Sequence, residues 1–316
     1  MVVPKTFKFN NGKEIPSIGL GTFNSPPGQV TQAVKDAIDA GYRHIDCAWY
    51  YGNEAEVGQA IETKIKEGVV KREDLFITSK LWCNYHEKEK VVPMIKDSLK
   101  NLKLEYVDLY LIHWPFGFKE EAGPWPNEGN PESYSDADIT ETWEGMEEAQ
   151  ELGLAKSIGV SNFNKAQVEK ILNACKIKPV CNQVEVNPNF NNKKLIEYCK
   201  ENDIIVAGYC PLGRVDSYGK PRIPKPTIFD PKVAEIGKKY NKTPAQVVLN
   251  YLITTLGIVV LPKSVTKSRI IENFDIFDFQ LDKEDTDYID STNINVRVCL
   301  AAYFGNHKDY PFHDEY

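Results

Sequence analysis

Three titratable residues each stand at the end of a short run of β-forming residues. Asp46 follows His44 and Ile45, Lys80 follows FITS, and His113 follows LYLI. Charged groups so close to apolar strand residues lose hydration unless they are paired. A structural Asp46–Lys80 ion pair, with His113 capping a loop, is one interpretation. Three such residues at equivalent strand ends favour a functional site, because shifted pKa values concentrate there.

A phenol follows the first of these residues closely, in the segment Ala48-Trp49-Tyr50-Tyr51-Gly52. A free phenol has a pKa of about 10, which is too high for ready proton release near pH 7. A nearby ammonium stabilises the phenolate, and Lys80, held charged by Asp46, is the candidate. We therefore expect a tyrosine acid whose pKa is lowered by buried partners.

The elements that must position these residues alternate along the chain. Apolar residues between 29 and 41 recur with helical spacing, and similar segments follow each strand candidate. The strand candidates are 18–22, 43–46, 75–79, 106–112, 157–160, 181–186, 204–209 and 258–261, and the helix candidates are 29–41, 53–67, 87–102, 140–152, 165–175, 193–202 and 244–255. Eight such units predict a closed (β/α)₈ TIM barrel that forms one domain over residues 1–316.

An open, doubly wound sheet is the alternative architecture. Such a sheet usually binds a dinucleotide through G-x-G-x-x-G after its first strand. Here that turn reads Gly19-Leu20-Gly21-Thr22-Phe23-Asn24, without the third glycine, and no Walker A motif occurs. Any nucleotide must therefore be bound by other means.

Three long segments interrupt the alternation: 114–139, 211–229 and the tail 294–316. The first two follow strand candidates, and connections of this length are usually lids or binding loops. Loops that follow barrel strands lie on the catalytic face. We expect these three segments to cover the active site.

Composition limits the classes of partner. The 316 residues carry 38 Lys and Arg against 45 Asp and Glu, a net charge of −7, which argues against nucleic acid as a partner. No run of 18 apolar residues and no secretory pattern at the N-terminus occur, so we expect no membrane association and a cytoplasmic location. The seven cysteines include no Cys-x-x-Cys, which predicts reduced thiols and no metal site.

Six motifs, in order, resemble the aldo-keto reductases: GYRHIDCAWYYGNEAEVG, FITSKLW, YLIHWP, GVSNF, NQVEVNP and LPKSVTKSRIIENF. They span nearly the whole chain, and the ending HKDYPFHDEY is most similar to the aldose reductase branch. The resemblance implies a monomeric (β/α)₈ barrel that reduces small aldehydes and ketones with NADPH. Its catalytic tetrad would be Asp46, Tyr51, Lys80 and His113. The family's spacing of five from the aspartate selects Tyr51 rather than Tyr50.

The resemblance also implies the cofactor contacts. Residues that would bind NADPH are Thr22, Ser161, Asn162, Gln183, Tyr209, Leu212, Asp216, Lys263, Ser264, Arg269, Glu272 and Asn273. From the residues alone, Ser161 or Asn162 could instead cap a helix, and Tyr209 could simply pack. The segment 261–269 precedes a predicted helix and carries several cations. That arrangement suits a phosphate better than a solvated basic turn, which favours NADPH over NADH.

The substrate pocket shows departures from the resemblance. The candidate walls are Phe23, Tyr50, Trp82, Trp114, Phe116 and Cys299. Aldose reductase has tryptophan in place of Phe23 and lysine in place of Asn24. The latter change removes a cation that would pair with Asp216, so we expect faster cofactor release. Cys299 is equally consistent with an inert thiol.

Two other functions fit parts of the pattern. Lys80 could form a Schiff base in a lyase, although that needs a lowered pKa and Asp46 acts in the opposite direction. A non-catalytic nucleotide-binding relative would keep the same fold. NADPH oxidation with a carbonyl panel distinguishes both from a reductase.

Overall fold

The computed structural model describes residues 3–126, 129–214 and 226–316. Within these ranges, eight parallel strands follow one another around a barrel in chain order. They are β3 (Leu20–Gly21), β4 (His44–Asp46), β5 (Phe76–Leu81), β6 (Leu109–Ile112), β7 (Ile158–Ser161), β8 (Cys181–Glu185), β9 (Ile205–Tyr209) and β10 (Val259–Leu261). Parallel bridges from Ile18 to Val260 and from Gly21 to Lys263 close the sheet on itself. The predicted (β/α)₈ barrel is confirmed.

Seven of the ten helices in the described ranges lie where the apolar periodicity predicts, and one begins at the end of the segment 261–269 as expected, whereas the helices at 231–240 and 283–291 were not predicted. They are α1 (Val30–Ala40), α2 (Glu54–Lys66), α3 (Lys88–Leu102), α4 (Ile139–Glu151), α5 (Lys165–Ala174), α6 (Lys193–Glu201), α7 (Pro231–Tyr240), α8 (Pro244–Thr254), α9 (Lys267–Phe274) and α10 (Lys283–Ser291). Helix α1 shows the rule: Val30, Ala33, Val34, Ala37 and Ile38 are all buried on one face. Burial of such faces on the strands forms the main hydrophobic core.

A short antiparallel hairpin before the barrel was not predicted. Strands β1 (Thr6–Lys8) and β2 (Glu14–Pro16) pair across a turn that contains Gly12 at φ 84°. Phe9 and Ile15 from this hairpin join a buried cluster with Phe76, the first residue of β5, and with inward residues of other strands. The hairpin therefore covers the amino-terminal end of the barrel, opposite the strand ends that carry Asp46 and His113.

The loop 114–139, in its described part, packs on the C-terminal tail. Phe118 bridges to Tyr134, and Phe304 of the tail is fully buried against Phe116 and Phe118. The loop contains two short 3₁₀ turns, Glu120–Ala122 and Pro131–Ser133. Loop and tail thus form one aromatic cluster beside the barrel mouth.

No helix in the described ranges is long and apolar enough to cross a bilayer. Across those same ranges, no group of three or more His, Cys, Asp and Glu side chains is arranged to hold a metal ion.

Candidate active site

Lys80 lies at the centre of the predicted tetrad and has no solvent-exposed surface. Its ammonium donates to Asp46 Oδ1 at 2.7 Å, to the Cys47 carbonyl at 2.8 Å and to the Tyr51 hydroxyl at 3.2 Å. These three acceptors match the three N–H groups of an ammonium. The side chain is therefore fixed in one orientation by its own hydrogen bonds.

Asp46 receives a second donor on its other oxygen. The Gln183 side-chain amide donates to Asp46 Oδ2 at 2.7 Å. Both carboxylate oxygens are paired in a nearly dry environment, as a buried charge requires. The hydrogen-bond chain thus runs from Gln183 through Asp46 and Lys80 to the Tyr51 hydroxyl.

The two adjacent tyrosines point to different neighbours. A 3₁₀ turn, Trp49–Tyr51, brings the Tyr51 hydroxyl to Lys80, whereas the Tyr50 ring stacks on Trp82 with centroids 3.8 Å apart. Gly52 ends this turn with φ 66°, a conformation that favours glycine. The next residue, Asn53, donates through its side chain to the Thr22 carbonyl and so ties the tyrosine loop to the first barrel strand.

The hydroxyl of Tyr51 is a weaker acid than the sequence led us to expect. Burial raises the pKa of Tyr51 to about 12, and the charge and hydrogen bond of Lys80 only partly oppose this. The expectation of a pKa below the ordinary value is wrong for this structure, because desolvation of the phenolate outweighs the ammonium. Tyr51 is consequently a protonated phenol at neutral pH, the state that a proton donor needs.

Lys80 shows the opposite balance. Burial alone would lower the pKa of Lys80, but Asp46 and Tyr51 together raise it above its ordinary value. Schiff-base formation requires a neutral amine. A lysine held as an ammonium argues against the lyase alternative.

His113 completes the group from the end of β6. Its ring lies 5.6 Å from the Tyr51 ring and 5.0 Å from the Trp82 ring, measured between centroids. Burial, reinforced by the Lys80 charge, holds the pKa of His113 well below its ordinary value. The imidazole is neutral and can donate one hydrogen bond while carrying no charge.

The residues predicted to bind a nicotinamide meet at the ends of β7, β8 and β9. Ser161 Oγ donates to the Gln183 carbonyl at 2.8 Å, and the Tyr209 hydroxyl donates to Asn162 Oδ1 at 2.7 Å. Helix α5 is capped by Asn164, which accepts from the Gln167 amide, so Ser161 and Asn162 are not the helix caps. These residues offer a hydroxyl, two amides and an aromatic ring near Tyr51. Together they provide hydrogen-bond donors and acceptors for a carboxamide group and a flat surface for the ring that carries it.

The basic segment before α9 fits a phosphate. Lys263 and Arg269 are both exposed, and neither forms an ion pair with any residue of the three described ranges. Among the described residues, Lys263 donates to the neutral Asn24 carbonyl alone, at 3.2 Å, and partial burial of the side chain lowers its pKa. The Ser264 hydroxyl accepts from the Thr266 amide at the start of α9. Cations without acidic partners at a helix N-terminus suit an anionic ligand.

The remaining predicted cofactor residues are placed around these two groups. Thr22 is buried and donates to the Asp46 carbonyl at 2.8 Å, and Leu212 is half-buried just beyond β9. Glu272 accepts from the Thr243 hydroxyl at 2.9 Å, while Asn273 is buried in α9. Asp216 lies outside the described residues.

The predicted substrate walls differ in exposure. Phe23 is 41 % exposed with its ring 5.0 Å from that of Tyr51, so it faces the barrel mouth. Trp82 and Trp114 are nearly buried, and Phe116 has no exposed surface. The Phe116 ring stacks behind the Trp114 ring, with the two ring centroids 5.2 Å apart. In this structure Phe116 therefore supports that ring and does not line the pocket.

Sequence reasoning missed two residues that organise the site. Glu185, at the end of β8, accepts from the backbone amides of Val298 and Cys299 at 2.8 and 2.7 Å and so anchors the tail. Arg214 donates to the Cys299 thiol at 3.5 Å, and its guanidinium lies 5.7 Å from the Phe23 ring. A buried glutamate at a strand end was the available signal for Glu185; nothing in the sequence marked Arg214.

A model of the Aldo/keto reductase family matches residues 17–294. The chain belongs to that family. This aldo/keto reductase is 48% identical to the prostaglandin-E(2) 9-reductase of Oryctolagus cuniculus, covering 97% of both chains. It is 46% identical to estradiol 17 beta-dehydrogenase 5 of Mus musculus, covering 99% of this chain and 98% of that one.

Solved structures agree with this assignment. The aldose reductase from Schistosoma japonicum superposes with a TM-score of 0.92 at 44% identity, covering 99% of this chain and all of that chain. A Bombyx mori aldo-keto reductase in complex with NADP gives a TM-score of 0.90 at 41% identity, covering 98% and 99%. This aldo/keto reductase is an oxidoreductase that reduces carbonyl groups with NADPH.

Proposed function

We propose that Tyr51 protonates the carbonyl oxygen during reduction, assisted by Lys80, Asp46 and His113. The observation that carries this assignment is the 3.2 Å contact between Lys80 Nζ and the Tyr51 hydroxyl inside a buried site. NADPH, when bound, supplies the hydride. The task of the protein is to stabilise and protonate the oxygen on which negative charge develops.

Each member of the tetrad has a separate role in this proposal. Tyr51, protonated below its pKa of about 12, holds the proton that the alkoxide requires. The ammonium of Lys80 stabilises the phenolate left behind, and Asp46 keeps that ammonium charged and oriented. Neutral His113 orients the carbonyl oxygen by donating a hydrogen bond and adds no charge that would compete with Lys80.

We also propose where the cofactor lies. Ser161, Asn162, Gln183 and Tyr209 would hold the nicotinamide beside Tyr51, which is supported by their convergence at neighbouring strand ends. Lys263, Ser264 and Arg269 would hold the 2′-phosphate, supported by the absence of acidic partners for both cations in the described ranges. Thr22, Leu212, Asp216, Glu272 and Asn273 complete the proposed contacts.

The substrate is a small-molecule carbonyl that enters past Phe23, Tyr50, Trp82, Trp114 and Cys299. Aromatic walls next to polar reacting groups are typical of pockets for apolar ligands. The stacked rings of Tyr50, Trp82 and Trp125 support this assignment, since Trp125 remains 40 % exposed. The segments 114–139, 211–229 and 294–316 would select among substrates.

A cytoplasmic monomer is the form that we propose. All seven cysteines are free thiols in the structure, which is consistent with a reducing compartment. The exposed rings of Phe23 and Trp125 lie 5.0 Å from Tyr51 and 6.0 Å from Tyr50 between ring centroids, so they suit the proposed substrate more than a second subunit. Sedimentation at several concentrations tests the monomer, and fractionation of cells tests the location.

Replacement of Tyr51 by Phe tests the central assignment. We expect Tyr51→Phe to abolish NADPH oxidation with aldehydes and ketones, while NADPH still binds, because only the donated proton is removed. The matched control is Tyr50→Phe, whose hydroxyl forms no hydrogen bond in the described structure, and it should stay active. A Tyr51→Phe variant that still reduces carbonyls would exclude Tyr51 as the proton donor, whether or not Tyr50→Phe is inactive.

A further inference from the structure

Two thiols from distant parts of the chain meet at the rim of the barrel. Cys210 directly follows the last residue of β9, and its sulfur lies 4.0 Å from the sulfur of Cys299 in the tail, 89 residues further along. Both side chains are half-buried. Four of the other five cysteines, Cys47, Cys83, Cys181 and Cys199, are fully buried, and Cys175 is half-buried elsewhere, on the last turn after α5.

The two thiols differ in their surroundings. Arg214 donates from Nη1 to the Cys299 sulfur at 3.5 Å, which places a positive charge beside that thiol. The hydrogen bond from Cys210 and the Arg214 charge lower the pKa of Cys299, whereas the pKa of Cys210 is raised. Because the thiolate is the nucleophile, Cys299 is the thiol that reacts first and Cys210 is the thiol that stays protonated beside it.

The backbone favours the meeting of these thiols. The Cys299 amide is held by the buried Glu185 carboxylate at 2.7 Å, so the tail cannot swing away without breaking that hydrogen bond. A disulfide requires the sulfurs to approach to about 2.05 Å, which is a movement of about 2 Å from the observed separation. The tail residue that follows Cys299, Leu300, is 44 % exposed, so this part of the tail lies at the surface.

We propose that Cys210 and Cys299 are a site of reversible disulfide formation by hydrogen peroxide. The Cys299 thiolate attacks one peroxide oxygen and breaks the O–O bond, which gives a sulfenic acid and hydroxide. The Cys210 sulfur then attacks the sulfenic sulfur, and its proton leaves with the hydroxyl as water. Overall, two thiols and one peroxide give one disulfide and two waters, and the two electrons pass from sulfur to peroxide.

The bond would connect two segments that border the proposed cofactor site. Cys210 lies between Tyr209 and the loop 211–229, and Cys299 lies in the tail held by Glu185. A covalent link to Cys299 would fix the position of Cys210, the neighbour of the proposed nicotinamide contact Tyr209, so we expect slower NADPH release from the oxidised enzyme. This effect on release rests on the cofactor site proposed above, whereas formation of the disulfide does not.

The chemical test uses the full-length protein, first fully reduced and then treated with hydrogen peroxide. Remaining thiols are alkylated, and the digested peptides are analysed by mass spectrometry. We expect a linked pair of peptides containing Cys210 and Cys299, with two hydrogens fewer than the reduced pair, and its loss after treatment with a dithiol. The same linkage should form in Cys175→Ser, which removes a half-buried thiol that has no sulfur neighbour.

Variants of the pair separate the two steps. Cys210→Ser should trap the sulfenic acid at Cys299 as a dimedone adduct, and Cys299→Ser should leave Cys210 unmodified. If Cys299 overoxidises in the native protein without any linked peptide, or if the linkage forms between two molecules only, the proposal is wrong.

NADPH release, followed by cofactor fluorescence after mixing with excess NADP, gives a separate readout. A slower release that returns to normal upon reduction supports the restraint, and an unchanged rate with a demonstrated disulfide refutes the restraint, whereas the cofactor placement is tested separately by Arg269→Ala. Cys210→Ser should show no change in release on treatment with peroxide.

Discussion

Removal of the Lys80 ammonium should cost this protein both stability and activity. In Lys80→Met, the Asp46 carboxylate keeps only the Gln183 donor and remains buried, its side chain being 5% exposed. Breaking one half of a buried ion pair typically costs about 3–5 kcal/mol, because the remaining charge is left uncompensated. We expect a loss of unfolding free energy near that range in the cofactor-free enzyme.

The double variant Asp46→Asn with Lys80→Met tests the reason for that loss. Replacing both charged partners removes the orphaned carboxylate, so the double variant should be more stable than Lys80→Met by about 1–3 kcal/mol. Urea unfolding followed by the fluorescence of the five tryptophans measures all variants. If the free energy of unfolding falls with urea concentration at the same slope in every variant, the unfolding midpoints can be compared directly.

Two results would contradict the reasoning. Lys80→Met within about 1 kcal/mol of the native protein would mean that water reaches the Asp46 carboxylate, against the buried geometry. A double variant that is no more stable than Lys80→Met would mean that the unpaired Asp46 carboxylate is not the source of the loss. Activity provides a second check: without Lys80 the Tyr51 phenolate loses its cation, so carbonyl reduction should fall in both variants, even where stability recovers.

Three further outcomes are expected. Arg269→Ala should weaken NADPH binding about tenfold or more and NADH binding far less, because a charge-assisted phosphate contact contributes about 1.5–3 kcal/mol; equal losses in titrations with both cofactors would exclude the phosphate role. A chain ending near Asn295 should lose more kcat/KM for a bulky carbonyl than for a minimal aldehyde, and a uniform fall with weaker NADPH binding would show that the tail supports the cofactor site. Burial lowers the pKa of His86 to about 3, so this residue binds a proton on unfolding below its ordinary pKa of about 6.5, and stability falls as the pH drops from about 6.5 towards 3. His86→Met should flatten that acid limb by up to about 1.4 kcal/mol per pH unit. Unfolding curves at several pH values measure this slope, and a slope equal to that of the native protein would contradict the reasoning.

The barrel could be predicted from sequence because each of its layers carries a strong local pattern. The strand Leu109–Ile112 is a continuous apolar run, as is typical of a strand buried on both faces, and the helices show one apolar face each. The strands His44–Asp46 and Phe76–Leu81 also carry polar residues, and they were recognisable from their place in the strand–helix alternation. The hairpin around Gly12 could not be predicted in this way. Its strands have three residues each, which is too short for any periodicity.

The tetrad was recognisable for a related reason. Asp46, Lys80 and His113 are titratable residues at or just after the carboxyl ends of three successive strands, and the carboxyl ends of parallel barrel strands lie at one end of the barrel. The acid strength of Tyr51 was not recognisable, because it depends on how completely the phenol is buried. The contact between Cys210 and Cys299 joins segments with no shared local pattern, so only the folded chain shows it.

The anchor of the C-terminal tail on Glu185 has a consequence for how the pocket can diversify. The two hydrogen bonds that Glu185 accepts from the tail both come from main-chain N–H groups, and the nearby Arg297 charge adds an electrostatic attraction. Any tail with free amides at these two positions can dock on the same carboxylate. Tails of different sequence should therefore be exchangeable on one barrel, so that the specificity of the pocket can change while the reacting groups keep their positions.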